Sequence, residues 1–183
     1  EMFDDQDKFF YQSYFREPGH AEAVFDPNPR EFLRKFYYAI SGDAVRGTWP
    51  MNAKASDAIN DILPEPPGFG PWMSDADMDY YVKEFTHSGF FGPLSRYRNA
   101  TRDFNFQQQF KGKTIDQPAF FIAGDKDGAY NMFGSSHDPL VNMRKLVTNL
   151  EGGHVIKGCG HWTQQEYPNE VNALLVPWLK TLK

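Results

Sequence analysis

The C-terminal part of this chain contains two short apolar segments, and each leads into a loop with a chemically active side chain. Residues 118–123 form a continuous apolar run that ends at Gly124, which is typical of a strand buried on both faces of a sheet. Residues 154–156 form a second strand, and a helical pattern follows each strand. Strands that alternate with helices predict parallel βα units. The predicted fold class of residues 111–183 is therefore α/β.

The loops after these strands carry the candidate catalytic residues. Asp125 and Asp127 follow the first strand, and His161 comes directly after Gly158-Cys159-Gly160 in the second loop. Glycines let the backbone turn tightly, so this loop can deliver His161 into a cleft. A strand-end acid followed by a loop histidine is the order of the last two members of a nucleophile–acid–histidine triad.

The nucleophile of such a triad has no candidate in the chain. No G-x-S-x-G or similar turn occurs, and the nearest segment, GDKDG at 124–128, has lysine at its centre. Two parallel strands alone also do not make a stable sheet. We therefore expect a separate chain or segment upstream of Glu1 to supply the nucleophile and further strands. A start at Glu1 without an initiator methionine agrees with a cut inside a longer chain.

Residues 1–110 are predicted to be mainly helical and aromatic. Apolar spacing, capping residues and breakers predict helices over 28–41, 74–88 and 93–109, of which the first two end at Gly42 and Gly89. The proline-rich stretch 42–73 has no clear period and is predicted to be a long loop.

The second part of the chain is predicted to contain two helices as well as the strands. One begins at Asp138-Pro139 and runs to a turn at Gly152-Gly153. The other covers 169–182, with a bend at Pro177. His154, which lies in the second strand, is predicted to be a core residue.

Composition excludes several classes of function. The net charge is −5 and no basic block occurs, which argues against nucleic-acid binding. No apolar run is long enough for a membrane span, and no signal peptide is visible. A single cysteine, Cys159, rules out an internal disulfide and favours a cytoplasmic location. No residues show metal-ligand spacing, so we predict no metal, and no phosphate-binding glycine loop occurs.

Four motifs resemble the second half of the soluble epoxide hydrolases of the α/β-hydrolase fold. They are FYQSYFREPG with AEAVF, YYVKEFTHSGFFGPLSRYRN, PAFFIAGDKD and GCGHWTQQEYPNEVN. The resemblance extends along nearly the whole chain, with the motifs in the family's order. It implies that 1–110 is a helical lid and that 111–183 is the C-terminal part of the α/β-hydrolase core. The family's nucleophilic Asp and upstream oxyanion-hole motif have no counterpart here.

The resemblance also implies roles for individual residues. His161 corresponds to the base that activates water, and Asp127 to the acid that orients it, with Asp125 as the alternative. Tyr11 and Tyr97 correspond to the two lid tyrosines that donate to the epoxide oxygen. From its context alone, Tyr14 remains an alternative to Tyr11.

The remaining implied features concern the substrate and the partner. Gln12 is a candidate for the pocket lining, and so is Trp162, which is also expected to pack beside His161. The implied substrate is an apolar epoxide of small-molecule size. The aromatic content of 16% suits an epoxide with bulky apolar substituents. The implied partner is the N-terminal half of the same hydrolase, which carries the Asp nucleophile. Because the reaction consumes only water, it requires no cofactor.

Three alternative functions remain open at this point. A haloalkane dehalogenase shares the fold and the ester intermediate but does not need paired lid tyrosines. An esterase would differ in the nucleophile that this chain lacks. A non-catalytic binding fragment would show no turnover at all.

Overall fold

The computed structural model describes residues 7–45, 49–50, 52–131 and 139–182 of the 183-residue chain. These residues form two compact units. One comprises the chain up to Ala39 together with Ala44–Gly68 and Ser74–Gln109. The other comprises Ile40–Asp43, Phe69–Met73 and the chain from Phe110 onward. Two short segments that were predicted to lie in the first part therefore belong to the second unit.

The regular secondary structure of the first unit is helical in its described residues, apart from a single antiparallel bridge between Lys8 and Lys54. Its core contains Phe15, Phe25, Leu33 and Ile59, whose side chains are fully buried. Its helices are α1 (Tyr11–Arg16), α2 (Glu22–Phe25), α3 (Pro29–Ala39), α4 (Ile59–Ile62), α5 (Asp75–Ser88), α6 (Phe91–Arg98) and α7 (Ala100–Gln107).

Helices α3 and α5 confirm two of the three predictions made for this part. Pro29 opens α3, where its missing N–H costs nothing. The side chain of Ser74 accepts from the N–H of Asp77, whose carboxylate accepts from the N–H of Ser74 in return. This reciprocal cap satisfies two of the free donors at the start of α5. Gly89, at φ +64°, ends the helix as predicted.

The third predicted helix, over 93–109, is wrong in its continuity. The structure divides this stretch into α6 and α7 at Asn99, and Gln108–Phe110 form a 3₁₀ turn. The side-chain amide of Asn99 donates to the carbonyl of Ser95 at 2.8 Å. Asparagine side chains that bond to nearby backbone compete with helix continuation, which explains the break.

A partly buried ion pair joins α2 to the end of α6. Arg98 Nη2 donates to Glu22 Oε1 at 2.6 Å, and the two side chains are about one-tenth exposed. Burial disfavours the carboxylate of Glu22, but the hydrogen bonds from Arg98 and from the N–H of Gly19 hold its pKa below the ordinary value. The pair fixes the residue that follows Tyr97 in the chain.

We expect Glu22→Leu to lower the free energy of unfolding by about 3 kcal/mol, because it removes the carboxylate that pairs with the buried Arg98 charge and leaves only the contact with the Phe91 ring. The double variant Glu22→Leu/Arg98→Met should regain most of that stability, since apolar residues can replace a buried pair at little cost. Urea unfolding of this chain, followed by circular dichroism, measures both effects. A single variant that is as stable as the double variant would contradict this expectation.

The second unit contains a parallel two-stranded sheet among its described residues. Phe120 of one strand is in register with Gly152 of the other, and Gly124 is in register with Ile156. The predicted parallel α/β arrangement is thus confirmed. The elements are β1 (Ala119–Gly124), α8 (Gly128–Asn131), α9 (Pro139–Leu146), β2 (Leu150–Ile156), α10 (Thr163–Glu166) and α11 (Pro168–Leu179). The last helix starts and ends close to its predicted limits.

The predicted turn at Gly152-Gly153 is wrong, because both glycines lie inside β2. A side chain at Gly152 would collide with the Phe120 ring, and one at Gly153 would collide with Leu140. These glycines therefore let neighbouring side chains cover the strand rather than turn it. Helix α9 ends at Leu146, earlier than predicted, because Thr148 pairs with Ile115 instead. Asp138, predicted to open that helix, lies outside the described residues.

The predicted burial of the strands is only partly correct. Ala123 and Gly124 are buried, but Phe120 and Ile122 are half-buried. His154, predicted to be a core residue, is exposed, and its ring stacks on Phe120 with centroids 5.5 Å apart. The sheet has two strands in the described part of the chain. Within that part β1 therefore pairs with β2 on one side alone, and it is less buried than a central strand would be.

Candidate active site

His161 and Asp127 form a hydrogen-bonded pair at the ends of the two strands. His161 Nδ1 lies 3.1 Å from Asp127 Oδ1 and 3.2 Å from Oδ2. The Asp127 side chain is 15% exposed and that of His161 is 44% exposed, so the acid is shielded while the imidazole reaches solvent. With Nδ1–H donating to the carboxylate, Nε2 carries the free lone pair and can act as a base.

The pair shifts the pKa of both of its members. The hydrogen bond to Asp127 raises the pKa of His161 despite the opposing effect of burial, and the charges of Asp127 and Glu166 raise it further. Burial disfavours the Asp127 carboxylate, but hydrogen bonds from His161 and from the N–H of Ala129 outweigh this and lower its pKa. Asp127 therefore stays ionised at neutral pH and stabilises the imidazolium form of His161.

Asp125, the alternative acid, is engaged elsewhere. Its Oδ1 accepts from the N–H of Gly158 at 2.7 Å, which ties the loop after β1 to the loop after β2. This contact gives Asp125 a structural part in holding the two loops together. The geometry therefore supports Asp127 as the partner of His161.

Close backbone packing fixes the loop that carries His161. Gly158 adopts φ +84°, a conformation that glycine tolerates best. A Cβ at Gly160 would collide with the backbone of Ser41 and Gly42, so this glycine is needed for a close approach. The N–H of His161 donates to the carbonyl of Ile40 at 2.9 Å. Residues 40–43 thus support the histidine loop.

Glu166 is a site residue that the sequence analysis did not single out. Its carboxylate accepts from three backbone N–H groups, those of Gly42, Gly160 and Trp162. The Lys126 ammonium donates to the carbonyl of Gly42 at 2.5 Å and adds a further tie to the same segment. The single sequence signal was a carboxylate five residues after the histidine, which is too common a spacing to be informative.

In the other unit, Tyr11 and Tyr97 lie against each other. Their ring centroids are 5.9 Å apart and the rings are nearly perpendicular at 84°. The side-chain amide of Gln12 donates to the Tyr11 hydroxyl at 3.0 Å. Burial, together with the repulsion expected from Tyr11, raises the pKa of Tyr97, so Tyr97 keeps its proton at neutral pH. Both rings are half-buried, and their contact places the two tyrosines side by side in this unit.

Tyr14 and Trp162 have mainly packing contacts. Tyr14 is 6% exposed and packs against Phe9, Phe15 and His20. Because it lies in the core, Tyr14 is a poorer candidate for a donor than Tyr11. The Trp162 ring contacts the His161 ring edge-on with centroids 5.1 Å apart. This contact limits the freedom of the imidazole.

The described residues hold neither a metal-binding cluster nor a membrane-spanning helix. They contain no group of three or more His, Cys, Asp or Glu side chains arranged to hold a metal ion. Within the same residues, every helix is too short or too polar to cross a bilayer.

The chain is similar in sequence to curated epoxide hydrolases. It is 35% identical over 179 residues to epoxide hydrolase A of Mycobacterium tuberculosis, covering 97% of this chain and 54% of the relative. It is 37% identical over 175 residues to bifunctional epoxide hydrolase 2 of Rattus norvegicus, covering 94% of this chain and 30% of that protein. The chain thus spans about half or less of the length of these relatives. No family model matches it.

Solved structures lead to the same group of proteins. Epoxide hydrolase A from Mycobacterium thermoresistibile matches with a TM-score of 0.84 and 33% identity, covering 97% of this chain and 54% of that chain. An epoxide hydrolase from an endophytic Streptomyces matches with a TM-score of 0.87 and 37% identity, covering 95% of this chain and 52% of that chain. The matched region lies in the C-terminal half of the relatives.

Proposed function

We propose that this chain, which corresponds in sequence and fold to the C-terminal half of the α/β-hydrolase-fold epoxide hydrolases, hydrolyses epoxides to vicinal diols once a nucleophile is supplied from upstream. The observation that carries the proposal is the His161–Asp127 pair at the carboxyl ends of two parallel strands. The nucleophile is an aspartate in an N-terminal half that precedes Glu1 or forms a separate chain. In this assignment residues 1–110 act as a lid and 111–183 complete the core.

The first step opens the epoxide. The upstream carboxylate attacks a ring carbon, the C–O bond to that carbon breaks, and an ester forms between enzyme and substrate. The oxygen that leaves takes a proton from Tyr11 or Tyr97 and keeps a hydrogen bond to the other. Protonated donors aimed at a developing oxyanion lower the barrier most when they are preorganised. The edge-on contact between the two rings supports this role.

The second step hydrolyses the ester. His161 removes a proton from water, and the resulting hydroxide attacks the ester carbonyl. Asp127 stabilises the imidazolium that forms. As the tetrahedral intermediate collapses, the leaving alkoxide takes the proton held by His161, which releases the diol. The regenerated upstream carboxylic acid loses its proton to solvent, and solvent returns one proton to the tyrosinate. The imidazole must be neutral to start this step, so its raised pKa should shift the acid limb of the rate profile above the ordinary value for histidine.

The experiment uses this chain fused behind the upstream half of the M. tuberculosis relative; below, this fusion is called the complete hydrolase. We expect it to convert styrene oxide to its diol, whereas the 183-residue chain alone should not. Chromatography of the diol measures the rate, and circular dichroism checks that both proteins fold. A folded complete hydrolase that releases chloride from 1-chlorobutane but leaves the epoxide intact would favour a dehalogenase instead. A folded protein without either activity would favour a binding fragment.

We also propose a preference for apolar substrates and a cellular location for the protein. The aromatic contacts around Tyr11, which include Phe10, Phe15 and Trp49, favour an apolar epoxide. Faster turnover of glycidol than of styrene oxide would contradict that preference. A cytoplasmic location is supported by the single cysteine, Cys159, which is buried and free.

A further inference from the structure

We propose that Glu166 is a positioning residue, which holds the His161 loop against residues 40–43 so that the imidazole is placed for ester hydrolysis. This inference rests on the proposed function. Glu166 lies at the end of α10, a single helical turn that brings its carboxylate back over the loop. The carboxylate does not bond to the His161 ring, so its effect on the reaction passes through the backbone and through its charge.

The contacts of Glu166 join segments that are distant in the chain. Oε2 accepts from the N–H of Gly42 and from the N–H of Gly160, each at 2.8 Å. Oε1 accepts from the N–H of Trp162 at 3.0 Å. Hydrogen bonds to an ionised acceptor are about twice as strong as neutral ones. One carboxylate therefore fixes the residues on both sides of His161 and the segment to which they are attached.

This arrangement leaves the histidine loop dependent on Glu166. The N–H of His161 itself bonds to Ile40, next to the segment that Glu166 holds. Gly42 and Gly160 pack so closely that no side chain would fit between the two backbones. Without the carboxylate, three N–H groups in this contact lose their acceptor and the two backbones can separate. A displacement of about 1 Å at a catalytic group can cost about 100-fold in rate.

The charge of Glu166 gives a second, separable effect. Its carboxylate, together with the larger contribution of Asp127, favours the imidazolium form of His161. Removal of the Glu166 charge should therefore lower the pKa of His161 and move the acid limb of ester hydrolysis to lower pH. The packed elements also carry other titratable or charged groups, namely Asp43, Asp125, Lys126, Lys157, Cys159, Tyr167 and Glu170.

The test compares three variants of the complete hydrolase. Glu166→Gln keeps the shape and one oxygen acceptor, and we expect ester hydrolysis to slow about 10-fold. Glu166→Ala removes every acceptor, and we expect a loss of about 100-fold. Glu170→Gln, an exposed carboxylate in the first turn of α11, serves as the matched control and should retain the wild-type rate. Single-turnover mass spectrometry separates ester formation, which should be unchanged, from ester hydrolysis, which should slow.

A titration of the His161 ring by NMR gives a readout that needs no substrate. The His161 resonance is assigned by its loss in His161→Gln, and its pKa should be lower in Glu166→Gln than in the wild type. Equal decreases in both chemical steps with an unchanged His161 pKa would overturn the proposal and show a purely structural role. An unchanged ester-hydrolysis rate would overturn it as well. If the wild type makes no diol, the proposed function fails, whereas the titration still decides whether Glu166 acts on His161.

Discussion

Replacing His161 with glutamine in the complete hydrolase is expected to stop the reaction at the ester. Diol formation should fall by about 1,000-fold, within the range for loss of a general base. Ester formation should continue, because the upstream carboxylate and the lid tyrosines do not depend on the imidazole. The enzyme should therefore bind one equivalent of epoxide covalently.

Intact-mass spectrometry after mixing with styrene oxide measures this outcome as an added mass equal to that of the substrate. The wild type should show little adduct at steady state if His161 has its proposed role of activating the water that hydrolyses the ester. His154→Gln is the control because this histidine is exposed, stacks on Phe120 and lies in the same unit. Rapid diol release by His161→Gln would contradict the assignment of the base. Absence of both adduct and diol would place His161 in the first step.

Some parts of the fold were predictable from local sequence and others were not. Helix α5 was predictable because Ser74, Asp77 and Gly89 satisfy its ends within a few residues of the helix itself. The break at Asn99 was not predictable, because the choice between continuing the helix and bonding to Ser95 depends on a small energy difference. Gly152 resembled a turn residue, but a glycine is needed there because the ring of Phe120 on the neighbouring strand occupies the space of a side chain.

The same distinction applies to the candidate site. The pairing of Asp127 with His161 was predicted from the order of acid and histidine and from the resemblance. The parallel strands place both loops at the same edge of the sheet. Glu166 could not be assigned in this way, since its bond to the N–H of Gly42 joins residues 124 positions apart. Gly42 itself was interpreted only as the end of a helix. Long-range backbone contacts of this kind leave no periodic trace in the sequence.

Removal of both lid hydroxyls, by Tyr11→Phe/Tyr97→Phe, is expected to prevent formation of the ester. Loss of one oxyanion donor costs about 100- to 1,000-fold in rate, so each single variant should show a defect of that size. The double variant should show no adduct on the time scale in which the wild type turns over. Its behaviour should be opposite to that of His161→Gln, which forms the ester and retains it.

Adding His161→Gln to the double variant gives a triple variant, Tyr11→Phe/Tyr97→Phe/His161→Gln, which provides a further test. If the tyrosines act only in ring opening, the triple variant should lose the adduct that His161→Gln accumulates. Tyr14→Phe is the matched control, because Tyr14 is buried against Phe9 and Phe15, and its loss should reduce stability while adduct formation continues. Abolition of the adduct by Tyr14→Phe in a folded protein would instead make Tyr14 the donor. Undiminished adduct in the triple variant would show that the epoxide opens without either phenol, which is the behaviour of a different chemistry on the same fold.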